Sequence, residues 1–212
     1  MERNVKRARL NETSTWRETM TPVNPTDGVW MLPGFGNTGV VETLQGLVLI
    51  DVPVVRLMDR MMKWLREVSS APVHTVFLTH GHLDHAAALE PLFDEAAKNG
   101  HPPPRIVAQR NLPQRFSRYR MLDEFHDHIN RIQFATPEGV QAFQLPERNP
   151  DITFDQSFST SVGDIDFHAF HQKGETDDGL WIWVPEKKAV FCGDLIIAGM
   201  PNVGNPFKVQ RP

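Results

Sequence analysis

Val73-His74-Thr75-Val76-Phe77-Leu78-Thr79 runs directly into His80-Gly81-His82-Leu83-Asp84-His85, and this junction decides the reading of the whole chain. The first stretch is short, apolar and rich in β-branched residues, which predicts a buried strand opening into a loop at its C-terminal end. The second places three imidazoles and a carboxylate within six positions. Histidines two apart on an extended strand end point to the same side, so His80 and His82 can chelate one cation. Asp84 and His85, at the start of the next helix, then face a neighbouring one. Gly81 lets the backbone turn tightly between ligands. The bland alternative is a surface histidine cluster without metal; position argues against it, because loops at the ends of buried strands collect functional groups.

Outward from this junction, strands and helices alternate. Residues 28–32 and 39–44 read as short strands around the turn Pro33-Gly34-Phe35-Gly36-Asn37, and residues 46–51 follow as a third. Residues 54–68 place Val55, Met58, Met62 and Leu65 at helical spacing, with Arg56, Asp59, Arg60 and Lys63 on the other side. The methionines Met58, Met61 and Met62 read as core filling rather than as a binding stripe. Residues 84–98 predict a helix ended by Asn99-Gly100 and by Pro102, Pro103 and Pro104. Residues 106–108 read as a strand and 112–130 as a helix. After Thr136 the pattern turns to short strands at 152–154, 165–170, 180–184 and 189–192. Strands with interspersed helices in both halves predict an α/β (α+β) fold, an αββα sandwich of two mixed β-sheets flanked by helices.

Bulk properties narrow the function. A chain of 212 residues with 40% hydrophobic content suffices for one sizeable core. The apolar runs, of which residues 47–50 are typical, fall far short of the roughly 20 residues that span a bilayer, so no membrane partner is expected. A formal net charge of −4 lacks the basic footprint of nucleic-acid binding and leaves a small-molecule substrate as the expected partner. Arg3, Lys6, Arg7 and Arg9 are interrupted by Glu2 and Glu12 with no apolar segment behind them, which reads as a disordered tail over residues 1–25 rather than a secretion signal. Residues 26–212 then form the domain. The single cysteine, Cys192, cannot pair within the chain and reads as a core residue; its solitude fits a reducing compartment such as the cytoplasm. Arg105, Arg110, Arg115, Arg118, Arg120 and Arg131 read as a solvated helical face.

Two further segments offer ligands. In Phe191-Cys192-Gly193-Asp194 an apolar strand ends in a glycine and an aspartate. Asp194 could bridge two cations, or could equally be an aspartate that caps a turn. The second segment is His171-Gln172-Lys173-Gly174-Glu175-Thr176-Asp177-Asp178-Gly179, a polar loop between predicted strands. Either His171 or Glu175 could complete the first cation site.

Together, His80-x-His82-x-Asp84-His85, Gly174-Glu175-Thr176 and Gly193-Asp194 resemble the metallo-β-lactamase superfamily, over roughly residue 28 to the C-terminus. The strand ending in Val48-Leu49-Ile50-Asp51 also resembles that fold's N-terminal hairpin and its aspartate. Most members carry histidine after the loop glycine; Glu175 in its place resembles the alkylsulfatase-like branch. The resemblance implies a metallo-hydrolase whose cofactors are two divalent metal ions, zinc in the first instance, with manganese or iron admitted by the extra oxygen ligand. It implies that His80, His82 and Glu175 hold the first ion, Asp84 and His85 the second, and that Asp194 bridges, leaving His171 a supporting role. Asp84 would also be catalytic, orienting a metal-bridged hydroxide toward an ester-like substrate: a sulfate ester, thioester, lactone or similar.

The family's last ligand is a histidine well after the bridging aspartate, and this sequence has none after His171. The expectation is a truncated chain, or a second ion short of one protein ligand. Two rival readings follow: a partially metallated protein without catalysis, and a diiron redox protein suited by the carboxylate at Glu175.

Overall fold

The computed structural model describes residues 21–134 and 144–196. Seven strands lie side by side in chain order: β1 (Val23–Thr26), β2 (Val29–Leu32), β3 (Thr38–Thr43), β4 (Gly46–Ile50), β5 (Val73–Phe77), β6 (Arg105–Gln109) and β7 (Ile152–Phe154). Pairing is antiparallel from β1 to β4 and parallel from β4 to β7. A second sheet of β8 (Ser157–Val162), β9 (Ile165–His171), β10 (Leu180–Val184) and β11 (Ala189–Phe191) runs in the order β11-β10-β9-β8, antiparallel throughout its described strands.

The first sheet is covered on both faces, which is why its central strands are near-continuous apolar runs. All five residues of β4 are buried, and their alternation divides them between two cores. Leu47 and Leu49 join Val76 and Leu78 in a cluster with Met58 and Leu65 of α1 (Met58–Val68), Leu92 of α3 (Glu90–Lys98) and Phe116 of α4 (Leu112–Met121). Val48 and Ile50 join Phe77 in a second cluster with Phe167, Ile182 and Val184 of the other sheet. The described residues therefore supply helix, sheet and sheet layers of the expected αββα order. None of the described helices is long and apolar enough to cross a membrane.

Several boundaries differ from expectation for identifiable reasons. The helix expected over 84–98 is two pieces, α2 (Leu83–Ala86) and α3, because the segment after β4 takes up backbone groups between them. The Val52 amide donates to the His85 carbonyl, and the Ala88 amide to the Pro53 carbonyl. The helix expected over 112–130 breaks at Leu122 into α4 and α5 (Asp123–Phe134). β8 was not foreseen, and the strand β1 places the expected boundary between tail and domain inside the sheet. In α1 the buried residues are Met58, Met61 and Leu65, whereas Val55 lies in a preceding 3-10 turn and is 38% exposed.

Candidate metal centre

Three separated segments converge just beyond the C-terminal end of β5. His80 and His82 come from the loop after it, His85 and Asp84 from α2, Glu175 from the loop between β9 and β10, and Asp194 from a 3-10 turn after β11. His80, His82 and His85 are all buried. His80 Nε2 lies 3.0 Å from His82 Nδ1, and Glu175 Oε2 lies 3.6 Å from the first and 3.2 Å from the second. Two nitrogen ligands at ~2.05 Å in a tetrahedron sit about 3.3 Å apart, so this triangle has the edge lengths a single small cation requires. With Asp194 added, one donor atom from each of the four residues lies within 4.8 Å of every other.

Asp194 also faces the remaining pair. His85 Nε2 is 3.3 Å from Asp194 Oδ1 and 3.6 Å from Asp84 Oδ2. All six residues expected to bind metal are thus gathered, with Asp194 at the junction of two groups. The donors are imidazole nitrogens and carboxylate oxygens, a set that suits zinc and, through its oxygens, manganese or iron. Close approach depends on glycine at two points. Gly193 has φ +50 and a Cβ there would come within 2.4 Å of Thr79 Oγ1, while a Cβ at Gly36 would meet the Asp84 carbonyl oxygen at 2.1 Å.

A residue outside the expected ligand set organises the imidazoles. Asp51 sits immediately after β4 with φ +64, a left-handed conformation that aspartate tolerates better than most residues, and its side chain is buried. Its carboxylate accepts from the Thr79 amide at 2.6 Å, the Thr79 hydroxyl at 2.7 Å and His85 Nδ1 at 2.8 Å. Because the Thr79 hydroxyl already donates to Asp51, the 3.2 Å contact with His80 is one in which His80 Nδ1 donates to Thr79 Oγ1. One carboxylate therefore fixes the tautomer of two imidazoles, directly for His85 and through Thr79 for His80. It leaves the Nε2 atoms of both facing the cluster. An aspartate at a strand end carries no such meaning in the sequence; the resemblance to an N-terminal hairpin aspartate was the available signal.

The electrostatics agree with a site built for cations. Burial opposes charge on His85, but the Asp84 and Asp51 carboxylates and hydrogen bonds to Asp194 and Asp51 outweigh it and hold the imidazolium well above its ordinary range. Burial likewise opposes ionisation of Asp194, yet its hydrogen bond to His85 and the charges of His85 and His82 hold its carboxyl below the usual value.

His171 lies outside the four-residue donor group, and its Nε2 is 3.1 Å from the Asp177 carbonyl. Arg115, read as part of a solvated face, is instead buried at 5% exposure against Asp177 and Asp178. The partner acids are some sixty positions away in the chain, so charge patterning along the helix could not reveal them. Cys192 is half-buried and lines the cavity walls next to the cluster, and burial pushes its thiol up, away from reactivity. A cavity of about 630 Å³ opens on His85 and Asp194, walled by Trp30, Phe35, Phe191 and Ile196 among others.

Residues 31–206 match the family model described as the metallo-beta-lactamase superfamily. Comparison with curated proteins gives no match. Among solved structures the chain is similar to a double mutant of the sec-alkyl sulfatase PisA1 of Pseudomonas sp., with 16% identity over 82% of this chain and 31% of that one, TM-score 0.68. A metallo-beta-lactamase from Cronobacter sakazakii aligns at 17% identity over 91% of this chain and 69% of that one, TM-score 0.63. A subclass B3 metallo-beta-lactamase, BJP-1 of Bradyrhizobium japonicum, aligns at 17% identity over 81% and 59%, TM-score 0.59. At these identities the likeness is one of fold, and the chain spans under a third of the alkyl sulfatase's length.

Proposed function

Because the chain belongs to the metallo-beta-lactamase superfamily, we propose that it is a metal-dependent hydrolase of ester-like small molecules, with two divalent ions, zinc first, as cofactors. The observation that carries the proposal is the position of Asp194 between two groups of donors: His80, His82 and Glu175 on one side, Asp84 and His85 on the other. Divalent ions held there would acidify a water molecule and polarise the electrophile.

The protein's own groups supply the rest. Asp84, whose Oδ2 lies 3.6 Å from His85 Nε2, would orient the attacking hydroxide. Two divalent ions bring four positive charges, and Asp84, Glu175, Asp194 and one hydroxide bring four negative, so the loaded centre is neutral where histidine at position 175 would leave +1. Such a centre holds its ions firmly. The apolar walls around His85 and Asp194 suit a substrate with a hydrocarbon or aryl portion, which displaces water from them as it docks. Among the ester classes, sulfate esters fit the glutamate in the loop, the feature that resembles the alkylsulfatase-like branch.

The test is His82→Ala in the full chain, assayed for bound metal and for turnover of an alkyl sulfate, a thioester and a lactone. Loss of both metal and turnover supports the proposal; hydrolysis that survives in this variant or in chelator-treated protein overturns it. The carboxylate-rich donor set also suits iron, and an iron absorption band in the purified protein without hydrolysis would favour redox chemistry instead.

A further inference from the structure

Behind the Glu175 loop, α4 presents a buried cation to two adjacent acids. Arg115 Nε donates to Asp178 Oδ1 at 2.9 Å and its terminal nitrogen pairs with Asp177 Oδ1. The side chains of Arg115, Asp177 and Asp178 are 4%, 8% and 0% exposed. The other oxygen of Asp178 reaches across to the first ligand loop, where it accepts from the Gly81 amide at 3.0 Å. Gly81 stands between His80 and His82, and a Cβ there would press on Arg115 Cδ at 2.7 Å and Asp178 Oδ2 at 2.9 Å.

The same segment is held again through its backbone. The Asp177 carbonyl accepts from Asn111 Nδ2 at 3.2 Å and lies 3.1 Å from His171 Nε2. Asp178 is thus a single carboxylate shared between the helix and the His80-Gly81-His82 turn, three residues after Glu175. Nothing in ligand chemistry requires that link; the fold pays for it by burying three charges.

We infer that Arg115 and Asp178 are positioning residues for the first cation site: they fix the Glu175 loop against the His80-Gly81-His82 loop so that the three donors meet before any ion arrives. This rests on the metal-site reading above and concerns His80, His82 and Glu175, not Asp84 or His85, the latter held by Asp51 from another element. Groups that orient ligands in this way commonly change metal affinity about 10- to 100-fold when removed.

The experiment is a zinc titration of the metal-free full chain against a chelating competitor, at a temperature where each variant is folded. Arg115→Lys keeps the charge but loses the two-pronged contact. Asp178→Asn keeps an acceptor but loses the charge. Asn111→Ala removes one donor to the Asp177 carbonyl and leaves the buried charges intact, so it remains informative if the other two do not fold. Arg131→Lys, in an i,i+4 pair with Asp127 far along α5, is the control. One zinc step should weaken about 10- to 100-fold in Arg115→Lys and Asp178→Asn, and less in Asn111→Ala. The other step should stay within about threefold, and the control should match the parent. With cobalt as probe, the visible spectrum of the weakened site should change as well. Unchanged affinity and spectrum in the folded variants, or equal weakening of both steps, overturns the inference while leaving the hydrolase reading standing. A parent chain that takes up no zinc overturns both, and a parent that binds zinc without hydrolysing anything removes only the hydrolase reading.

Discussion

Asp51→Asn removes one charge and leaves the shape of the site almost unchanged. Asparagine tolerates the left-handed backbone at φ +64 as well as aspartate does, so the substitution adds no conformational strain. The carboxylate it replaces accepts three hydrogen bonds, two of them from Thr79 and one from His85. An amide has one oxygen to offer. If that oxygen faces His85, the amide nitrogen faces the Thr79 N–H, and a buried donor goes unsatisfied at a cost of about 1–3 kcal/mol. If it faces the Thr79 N–H, His85 must turn its proton to Nε2 and so loses its ligand atom. Either arrangement disturbs a group that orients ligands, for which about 10- to 100-fold in metal affinity is the usual consequence, or about 1.4–2.7 kcal/mol. For a domain of this size, about 2 kcal/mol lowers the unfolding midpoint by roughly 4–8 °C. Competition titration and calorimetry of the metal-free protein measure the two quantities. An Asp51→Asn protein with parental zinc affinity and parental unfolding midpoint would refute the role assigned to this carboxylate.

Further outcomes follow from the backbone and the charges. Gly36→Ala drives a Cβ into the Asp84 carbonyl at 2.1 Å and toward His85 Nε2 at 3.1 Å, so metal affinity should fall at least about tenfold. Gly100→Ala meets nothing within 4 Å and should cost roughly 1 kcal/mol of stability, from its φ of +68, with no effect on metal. In metal-free protein, His85 titrates well above 6.5 when folded, so its contribution to stability is complete below pH 6.5 and lost as pH rises through the raised value. Asp194, held below 3.8, contributes above pH 3.8 and loses that contribution as acid lowers pH through the depressed value. Thermal scans should place greatest metal-free stability between these limits. Zinc should remove the decline at high pH, because the ion takes the place of the His85 proton.

The fold was legible where period and position coincide. The strand at β5 and the cluster at its end follow from a β-branched apolar run meeting three imidazoles, and β4 follows from four consecutive apolar residues, Leu47 to Ile50. β8 was missed because Ser157-Phe158-Ser159-Thr160-Ser161-Val162 carries its apolar residues at only two positions; its pairing with β9 supplies what hydrophobicity does not. The breaks after α2 and α4 were invisible because helical spacing continues through them, and it is backbone bonding from Val52 and Ala88 that interrupts the first.

In the site, the residues that would touch metal were readable because their chemistry is unusual at such density. The residues that hold them were not. Asp51 looks like any strand-end aspartate until Thr79 and His85 are seen against it, and Arg115 looks like one of several surface arginines until the loop bearing Asp177 and Asp178 folds over it. Long-range partners determine both roles, and a linear pattern does not contain them.

Crystals of the full chain grown with zinc, with anomalous difference maps recorded on both sides of the zinc edge, measure the central claim directly. Two peaks about 3.5–4 Å apart are expected, with the Asp194 carboxylate between them, one peak against His80, His82 and Glu175 and the other against Asp84 and His85. A single peak that Asp194 does not touch, or no peak in that space, would contradict the shared two-ion centre.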